Sequence, residues 1–532
     1  MNEHLSQTSL DTKVEHQLNK ILDSETFRKA SNLKNFLQYI VSKTLTGHAD
    51  SLKQYTIAID AFARSADFDP QRDPIVRIQA GRLRHLLSDY YKYEGERDTL
   101  IIDVPKGTYI PEFLIVERLS SEEKGTIANN PPIIKVHPFQ SLSSIDEHKY
   151  VAEGFTEELI ANLSFFKNII TVRTTPVYET TLEFENNKTK HKNDRTFYLK
   201  GTVRFTSTKI KVVVTLFDEV NNQPLWSIDF LEPYKVEGLI DIQVNVANKV
   251  STSVADVYGG AIVKKMQSES TTLVYQDMDT FNLMSLIYQF ERNPDSIEYN
   301  KVLSTFQDAI KKYPDFGPGW SALANLQLNN YALGYAKEDS ELLARATDYA
   351  RKGVSLNPNN QFVRTIYGYS CLINNKLEDC MHQLDYAKSL NPKSAFFLGS
   401  IGFFSSLAGK WEQGLEDLAT SFQLNPDYPS WCHVSTTLYY LKQGAFDTAL
   451  EESLKIDLPF ILWDHVLKSV CYAYNNDITN AEIHLCKLQE VHPEFLDNPS
   501  YYLKMYIKFD DILKIVLKGL AIAGLEKSNF TR

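Results

Sequence analysis

The sequence predicts a multidomain α+β protein: a set of helices closed by a β-hairpin, a central α/β sandwich and a C-terminal all-α solenoid. Three observations predict it. Leu356-Asn357-Pro358, Leu390-Asn391-Pro392 and Leu424-Asn425-Pro426 stand 34 residues apart, a period at which one helical hairpin stacks on the next. Ahead of them, from Ile133 to Phe230, short alternating apolar runs argue strands. Further upstream, apolar residues recur at helical spacing and give way to a Pro105-Lys106-Gly107 turn. At 532 residues the chain is too long for one core, and two to four domains are expected.

Composition narrows the class. A hydrophobic content of 43% with 12% aromatics suits folded domains. A net charge of −11 argues against indiscriminate coating of nucleic acid,. Residues 1–117 carry 15 Lys/Arg against 17 Asp/Glu, so most of the acidity lies elsewhere. Met1 to Lys20 is polar and shows no signal peptide. No run approaches 18 apolar residues, so no membrane insertion is expected. The five cysteines lack metal spacing and read as small core residues in a reducing compartment,. A cytoplasmic location is expected.

Leu33, Phe36, Leu37, Ile40, Val41 and Leu45 mark a first helix ending at Gly47, and Leu52 to Ala63 reads as a second,. Asp73 is placed to cap a third, with Pro74 as its first residue and a run from Ile75 to Tyr93. At 100° per residue, Val76, Ala80, Leu83 and Leu87 share a face that should bury. Ile78, Gly81, Arg82 and His85 lie opposite, with Arg77 and Arg84 on the flank. Leu100 to Val104 favours a strand, and Tyr109 to Phe113 can return beside it. Three helices and a hairpin are the layout of a winged helix, whose last helix enters the major groove.

The run from Ile75 to Arg84, followed by Lys106-Gly107-Thr108-Tyr109, resembles the recognition helix and wing of response-regulator-type winged-helix domains. Thr108 replaces the second wing glycine of that pattern. Leu52-Lys53-Gln54-Tyr55-Thr56-Ile57, Phe68-Asp69-Pro70, Asp73-Pro74-Ile75-Val76-Arg77 and Tyr90-Tyr91 extend the likeness to a bacterial N-terminal module that precedes TPR arrays in signalling proteins. It covers roughly residues 15–117. DNA is the partner this implies, with Arg77, Arg82, Arg84 and His85 on the helix and Lys106 at the wing tip as contacts. From Ile75 to Lys92 the helix carries a local net of +3. Against this, Asp67, Asp69 and Asp89 are placed to pair with Arg82 and Arg84, and winged helices also serve as protein-contact modules.

A polar linker is expected over 118–131. Ile133–Val136, Ile169–Arg173, Phe197–Phe205, Lys209–Asp218 and Leu225–Phe230 read as strands. A helix opens at Gly154, Glu183 to Arg195 is a loop, and Ile240–Tyr258 closes the unit at 132–258. His137-Pro138-Phe139, Gly154-Phe155-Thr156-Glu157-Glu158-Leu159, Leu199-Lys200-Gly201-Thr202-Val203 and Leu225-Trp226-Ser227 resemble the FlgO-like domain, related to the N-terminal domain of TolB. The resemblance implies a fold and no known chemistry. Glu157 and Glu158 read as acids at a helix start, favoured there by the dipole, and Trp226 as core.

The 34-residue interval is that of the tetratricopeptide repeat (TPR). Residues 280–532 form the array, with Phe281–Arg292 as its first helix. Trp320, Leu323, Ala324, Ala346, Gly368, Ala387, Gly402 and Ala481 take the large and small packing positions. An insertion near Tyr331 to Asp339 stretches one interval. A protein or peptide ligand on the TPR concave face is the expected partner.

No phosphate-binding loop, zinc-protease helix, nucleophile elbow or kinase set is present. The histidines are scattered, and His484 and His492 read as lacking partners. Phe509-Asp510-Asp511-Ile512 reads as a helix start. The expectation is therefore no enzyme, no cofactor and no metal. The chain reads as a cytoplasmic regulator whose winged helix binds DNA and whose TPR array recruits a partner. The alternative is a non-enzymatic scaffold in which the winged helix contacts protein. Repeated operators would suit a homodimer, although no heptads enforce one.

Overall fold

The computed structural model describes residues 3–28, 30–65, 67–70, 73–95, 98, 100–105, 107–115, 131–174, 195–270, 279–292, 296–333 and 340–525. Lys106, the side chain of Lys92, the linker at 118–131 apart from Pro131, the stretch Glu183–Arg195 apart from Arg195, and most of the Tyr331–Asp339 insertion lie outside the described residues.

The N-terminal unit comprises α1 (Glu3–Asp23), α2 (Ser31–Leu45), α3 (Gln54–Asp60), α4 (Ile75–Tyr93) and an antiparallel hairpin of β1 (Leu100–Asp103) and β2 (Glu112–Ile115). Apolar residues at third and fourth positions build one core: Val14, Leu18 and Ile21 of α1, Phe36, Leu37 and Ile40 of α2, and Val76, Ala80, Leu83 and Leu87 of α4,. Its polar seam is buried Asp98, which accepts from Gln17 Nε2 at 2.5 Å and Tyr90 Oη at 2.7 Å and pairs with Lys20.

The polar start, to which no element was assigned, is helical, because α1 buries a narrow Val14–Leu18–Ile21 stripe. Three local expectations shift. The second helix shrinks to seven residues, since the chain has turned to a positive φ of 50° by Ala63. Pro74 is itself the N-cap of α4, while Asp73 Oδ1 accepts the Ile75 N–H at 2.9 Å from one residue further out. The return strand starts at Glu112, because the Ile110 N–H turns onto Thr108 Oγ1 at 3.0 Å.

The middle unit holds β3 (Ile133–Val136), β4 (Gln140–Ser141), α5 (Glu147–Ser164), β5 (Thr171–Thr174), β6 (Thr196–Phe205), β7 (Lys209–Asp218), β8 (Gln223–Pro233), α6 (Leu239–Ala255) and α7 (Ala261–Ser270). The sheet runs β5-β3-β6-β7-β8, with β4 also on β6. The β5–β3 and β3–β6 pairs are parallel, and the last three strands form an antiparallel meander. Ile210, Val212, Val214 and Leu216 alternate along β7 into the core shared with α5 and α6,. Helix α5 begins at Glu147, seven residues before Gly154, so Glu157 and Glu158 sit mid-helix and the dipole account of them fails. Trp226 is half-buried on the edge strand and packs against the core.

The C-terminal part is helical throughout: α8 (Thr280–Arg292), α9 (Ser296–Lys312), α10 (Gly317–Ala332), α11 (Ser340–Leu356), α12 (Gln361–Ile373), α13 (Leu377–Leu390), α14 (Ala395–Leu407), α15 (Trp411–Leu424), α16 (His433–Gln443), α17 (Phe446–Leu454), α18 (Leu462–Tyr474), α19 (Ile478–Val491), α20 (Pro499–Lys504) and α21 (Asp510–Ile522). Consecutive helices pair from α10/α11 to α18/α19. Each Leu-Asn-Pro closes a second helix, because the proline cannot continue it,. The asparagines then tie the turns: Asn357 Oδ1 accepts the Gly317 N–H at 3.1 Å, and the Asn391 carbonyl accepts from Gln361 Nε2 at 2.7 Å. At Gly402 a Cβ would stand 2.6 Å from the Gly414 carbonyl oxygen, so α14 and α15 touch through their backbones,. Four of the five cysteines are buried as expected, whereas Cys486 is exposed. Burial pushes the Cys371 and Cys471 thiols up to about 12,.

Both preceding units dock on these helices. At the end of α6, buried Asp256 accepts from Ser394 Oγ at 2.7 Å at the start of α14. Burial pushes its carboxyl up to about 6, against the pull of that hydroxyl and neighbouring backbone N–H groups. Lys249 Nζ donates to the Gln423 and Leu424 carbonyls at 3.0 and 2.8 Å, at the end of α15.

Candidate functional site

Helix α4 divides its residues as a docked amphipathic helix must. Val76, Ala80, Leu83 and Leu87 are buried, while Arg77, Ile78, Arg82 and His85 are exposed. Ile78 keeps 47% of its surface open, and a Cβ at Gly81 would meet nothing within 4 Å. The face is therefore unobstructed along Ile78, Gly81, Arg82 and His85. Among the described residues no carboxylate pairs with Arg77 or Arg82. Of the acids expected to pair with the arginines, Asp67 accepts from Ser65 instead, and Asp73, at the entry to the helix, pairs with Arg64 at 3.5 Å.

Arg84 has a different role. Its Nε donates to the Val104 carbonyl at 2.7 Å, and one terminal nitrogen donates to the Pro105 and Thr108 carbonyls at 2.9 and 3.0 Å. The guanidinium spans the base of the hairpin and holds its turn to α4. Burial lowers its pKa, against the pull of Asp103, Tyr109 and Glu378. Sequence spacing placed Arg84 on the flank of the helix but carried no sign of this clamp, because its acceptors are backbone atoms 20 to 24 residues away.

The hairpin lies against α13. Asp103 Oδ2 meets His382 Nε2 at 3.1 Å, and Asn359 Nδ2 donates to the Tyr91 carbonyl at 3.0 Å. Burial opposes ionisation of Asp103, but the charge and hydrogen bond of His382 outweigh it and hold the carboxyl at about 2,. Gly107, with φ 89°, sits so close to Glu378 that any side chain there would overlap its carboxylate. The turn expected to reach a phosphate thus faces an acid of the repeats.

Two histidine expectations are overturned. His484 Nδ1 meets His465 Nδ1 at 3.2 Å, and His492 Nε2 meets the Phe460 carbonyl at 3.3 Å. Asp464, His465 and His484 bring ligand-type atoms within 4.8 Å of one another. However, Lys468 Nζ lies 2.8 and 3.0 Å from the two Asp464 oxygens. That ammonium neutralises the carboxylate a cation would need. Burial, and then His465, lowers the His484 pKa to about 4.

On the inner side of the stack, Tyr506 packs its ring on Tyr369, Phe403 and Trp463, from the first helices of three hairpins. Trp463 Nε1 donates to the Ala332 carbonyl at 3.2 Å, so the last hairpin closes back on α10. The chain's own segment around Met505-Tyr506-Ile507 is buried there. The concave face expected as an open groove is in part filled by this segment. Beside it remains an open-mouthed cavity, walled by α8, α10, α12, α14 and α18.

Helical hairpins repeating at 34 residues, with small residues at their crossings, decide the class of this half. The C-terminal half is a TPR-type helical solenoid. No protein-family model matches the chain, and comparison with curated protein sequences gives no match. Among solved structures, YrrB, a TPR protein with an unusual peptide-binding site, is 18% identical over 36% of this chain and 93% of its own, at a TM-score of 0.23. The human IFIT1 dimer is 15% identical over 54% and 68%, at 0.32. Yeast Tom70 is 11% identical over 92% of both chains, at 0.26. Such low scores carry no functional argument, and the solenoid assignment rests on the chain's own hairpins. No described helix is long and apolar enough to cross a membrane.

Proposed function

We propose that the chain is a regulator without enzymatic activity, in which a winged-helix module at 15–117 binds DNA and the solenoid at 280–532 binds a protein partner. The FlgO-like unit at 132–258 senses a signal or dimerises. The observation carrying this reading is the open face of α4, where Arg77, Ile78, Arg82 and His85 are exposed and Gly81 allows close approach,. Arg77 and Arg82 are the DNA contacts, His85 extends the same face, and Arg84 supports the wing. Lys106, next to Gly107 in the sequence, is the further contact this reading assigns.

A second reading has its own support. The hairpin already contacts protein, through Asp103 with His382 and Gly107 with Glu378. This favours a scaffold in which the winged helix is a protein-contact module.

DNA binding across a salt series, with full-length protein and mixed genomic fragments, separates the two. The regulator reading expects salt-sensitive binding that retains selected sequences and is lost in Arg77→Ala/Arg82→Ala. Absence of binding at low salt by folded protein rejects it and leaves the scaffold.

A further inference from the structure

We propose that the cavity inside the solenoid binds a small organic monocation, a protonated amine carried on an apolar or aromatic body. Glu291 supplies the anionic wall. Its Oε1 accepts from Asn325 Nδ2 at 2.5 Å and Asn329 Nδ2 at 3.1 Å, two neutral donors that fix the carboxylate without neutralising it. None of the described residues lining the cavity is basic. The remaining wall is aromatic and aliphatic, with Phe396, Phe403, Trp431, Trp463 and Tyr506 prominent.

A carboxylate set among aromatic rings, with no basic residue in the described lining, is costly to keep ionised, and such a group is a candidate for pairing with a ligand,. Burial pushes the Glu291 carboxyl up to about 7, against the pull of Asn325 and Asn329. Ring faces add attraction for the same charge, since an ammonium is drawn to the negative face of Trp, Tyr and Phe. An anion would meet the Glu291 carboxylate with no basic residue among the described lining to offset it.

The occupant is a free small molecule rather than a peptide. Tyr506 and its neighbours lie along the inner side of the stack and interrupt the lane an extended chain would follow. The space beside it is lined mainly by aromatic and aliphatic side chains with a few polar groups, as small-ligand sites are,. Trp431 and Trp463 line it, so occupancy is readable in the protein's own fluorescence.

Full-length protein is titrated with 2-phenylethylamine and 1-aminoadamantane at pH 8, each beside its neutral alcohol counterpart, following tryptophan emission. Saturable binding of an amine is expected, at least about tenfold tighter than the alcohol. In Glu291→Gln, which keeps the amide-sized side chain and both asparagine contacts, that preference should vanish while the emission of the free protein shows the fold retained. Equal binding of amine and alcohol, a preference that survives in Glu291→Gln, or no binding of either amine up to about 10 mM would each overturn the proposal. DNA plays no part in this measurement, so it stands apart from the regulator reading.

Discussion

Arg82 and Arg84 sit two residues apart on one helix and meet different surroundings. Arg82 projects into solvent, while Arg84 is tied to three backbone carbonyls of the hairpin. A lysine at 84 has one nitrogen and cannot reproduce the fork. Arg84→Lys should lower stability by about 2 kcal/mol in urea unfolding, whereas Arg82→Ala should stay within about 0.5 kcal/mol. Equal effects would show that the clamp is not what holds the hairpin. The pair also marks how far the sequence could be read. Periodicity separated the buried from the exposed face of α4, because each face is a property of local spacing. It could not separate two arginines whose fates depend on distant carbonyls. Glu291 was missed for a related reason: its importance comes from a cavity whose described lining holds no basic residue, which only the folded stack reveals.

Single glycines distinguish helices that touch from helices that face solvent. At Gly402 a Cβ would meet the Gly414 carbonyl oxygen at 2.6 Å and the Leu418 nitrogen at 2.9 Å, and neither backbone atom can swing away. Gly402→Ala should therefore cost about 1–3 kcal/mol, read as a lowered midpoint of thermal unfolding. Gly81→Ala, into open space on α4, should gain about 0.5–1 kcal/mol from helix propensity,. Loss of stability in both would put the difference down to the residue type and not the crossing. Elements with strong period were legible to within a few residues, among them α4, β3, β7 and α8. Helix α1 was not, because only Val14, Leu18 and Ile21 carry its apolar stripe amid polar residues. The seven extra residues at the start of α5 escaped because only Val151 and Ala152, at the end of that stretch, reach the core.

At the scale of the whole chain, the two leading units are fastened to the solenoid by a few polar ties. Asp103 with His382 is the tie that seats the hairpin. His382→Ala leaves Asp103 without its partner in a largely enclosed place, which costs about 1–3 kcal/mol locally. Amide hydrogen exchange at Leu100–Asp103 should then quicken by about tenfold or more, while α12 and α14 remain protected. Unchanged exchange in the hairpin would show that other contacts of α13 hold it. On the regulator reading, the same variant should bind DNA more tightly than the wild type, because the wing turn is released from Glu378.

The bond from Trp463 to Ala332, with Tyr506 wedged among three hairpins, turns an open stack into a closed loop. An open stack can grow by gene duplication, one unit at a time, without disturbing what came before. A closed one has its copy number locked: an added unit would carry Trp463 away from Ala332 and draw Tyr506 out of its seat. The lineage of this chain should therefore vary in the surface and cavity of its units and keep their number.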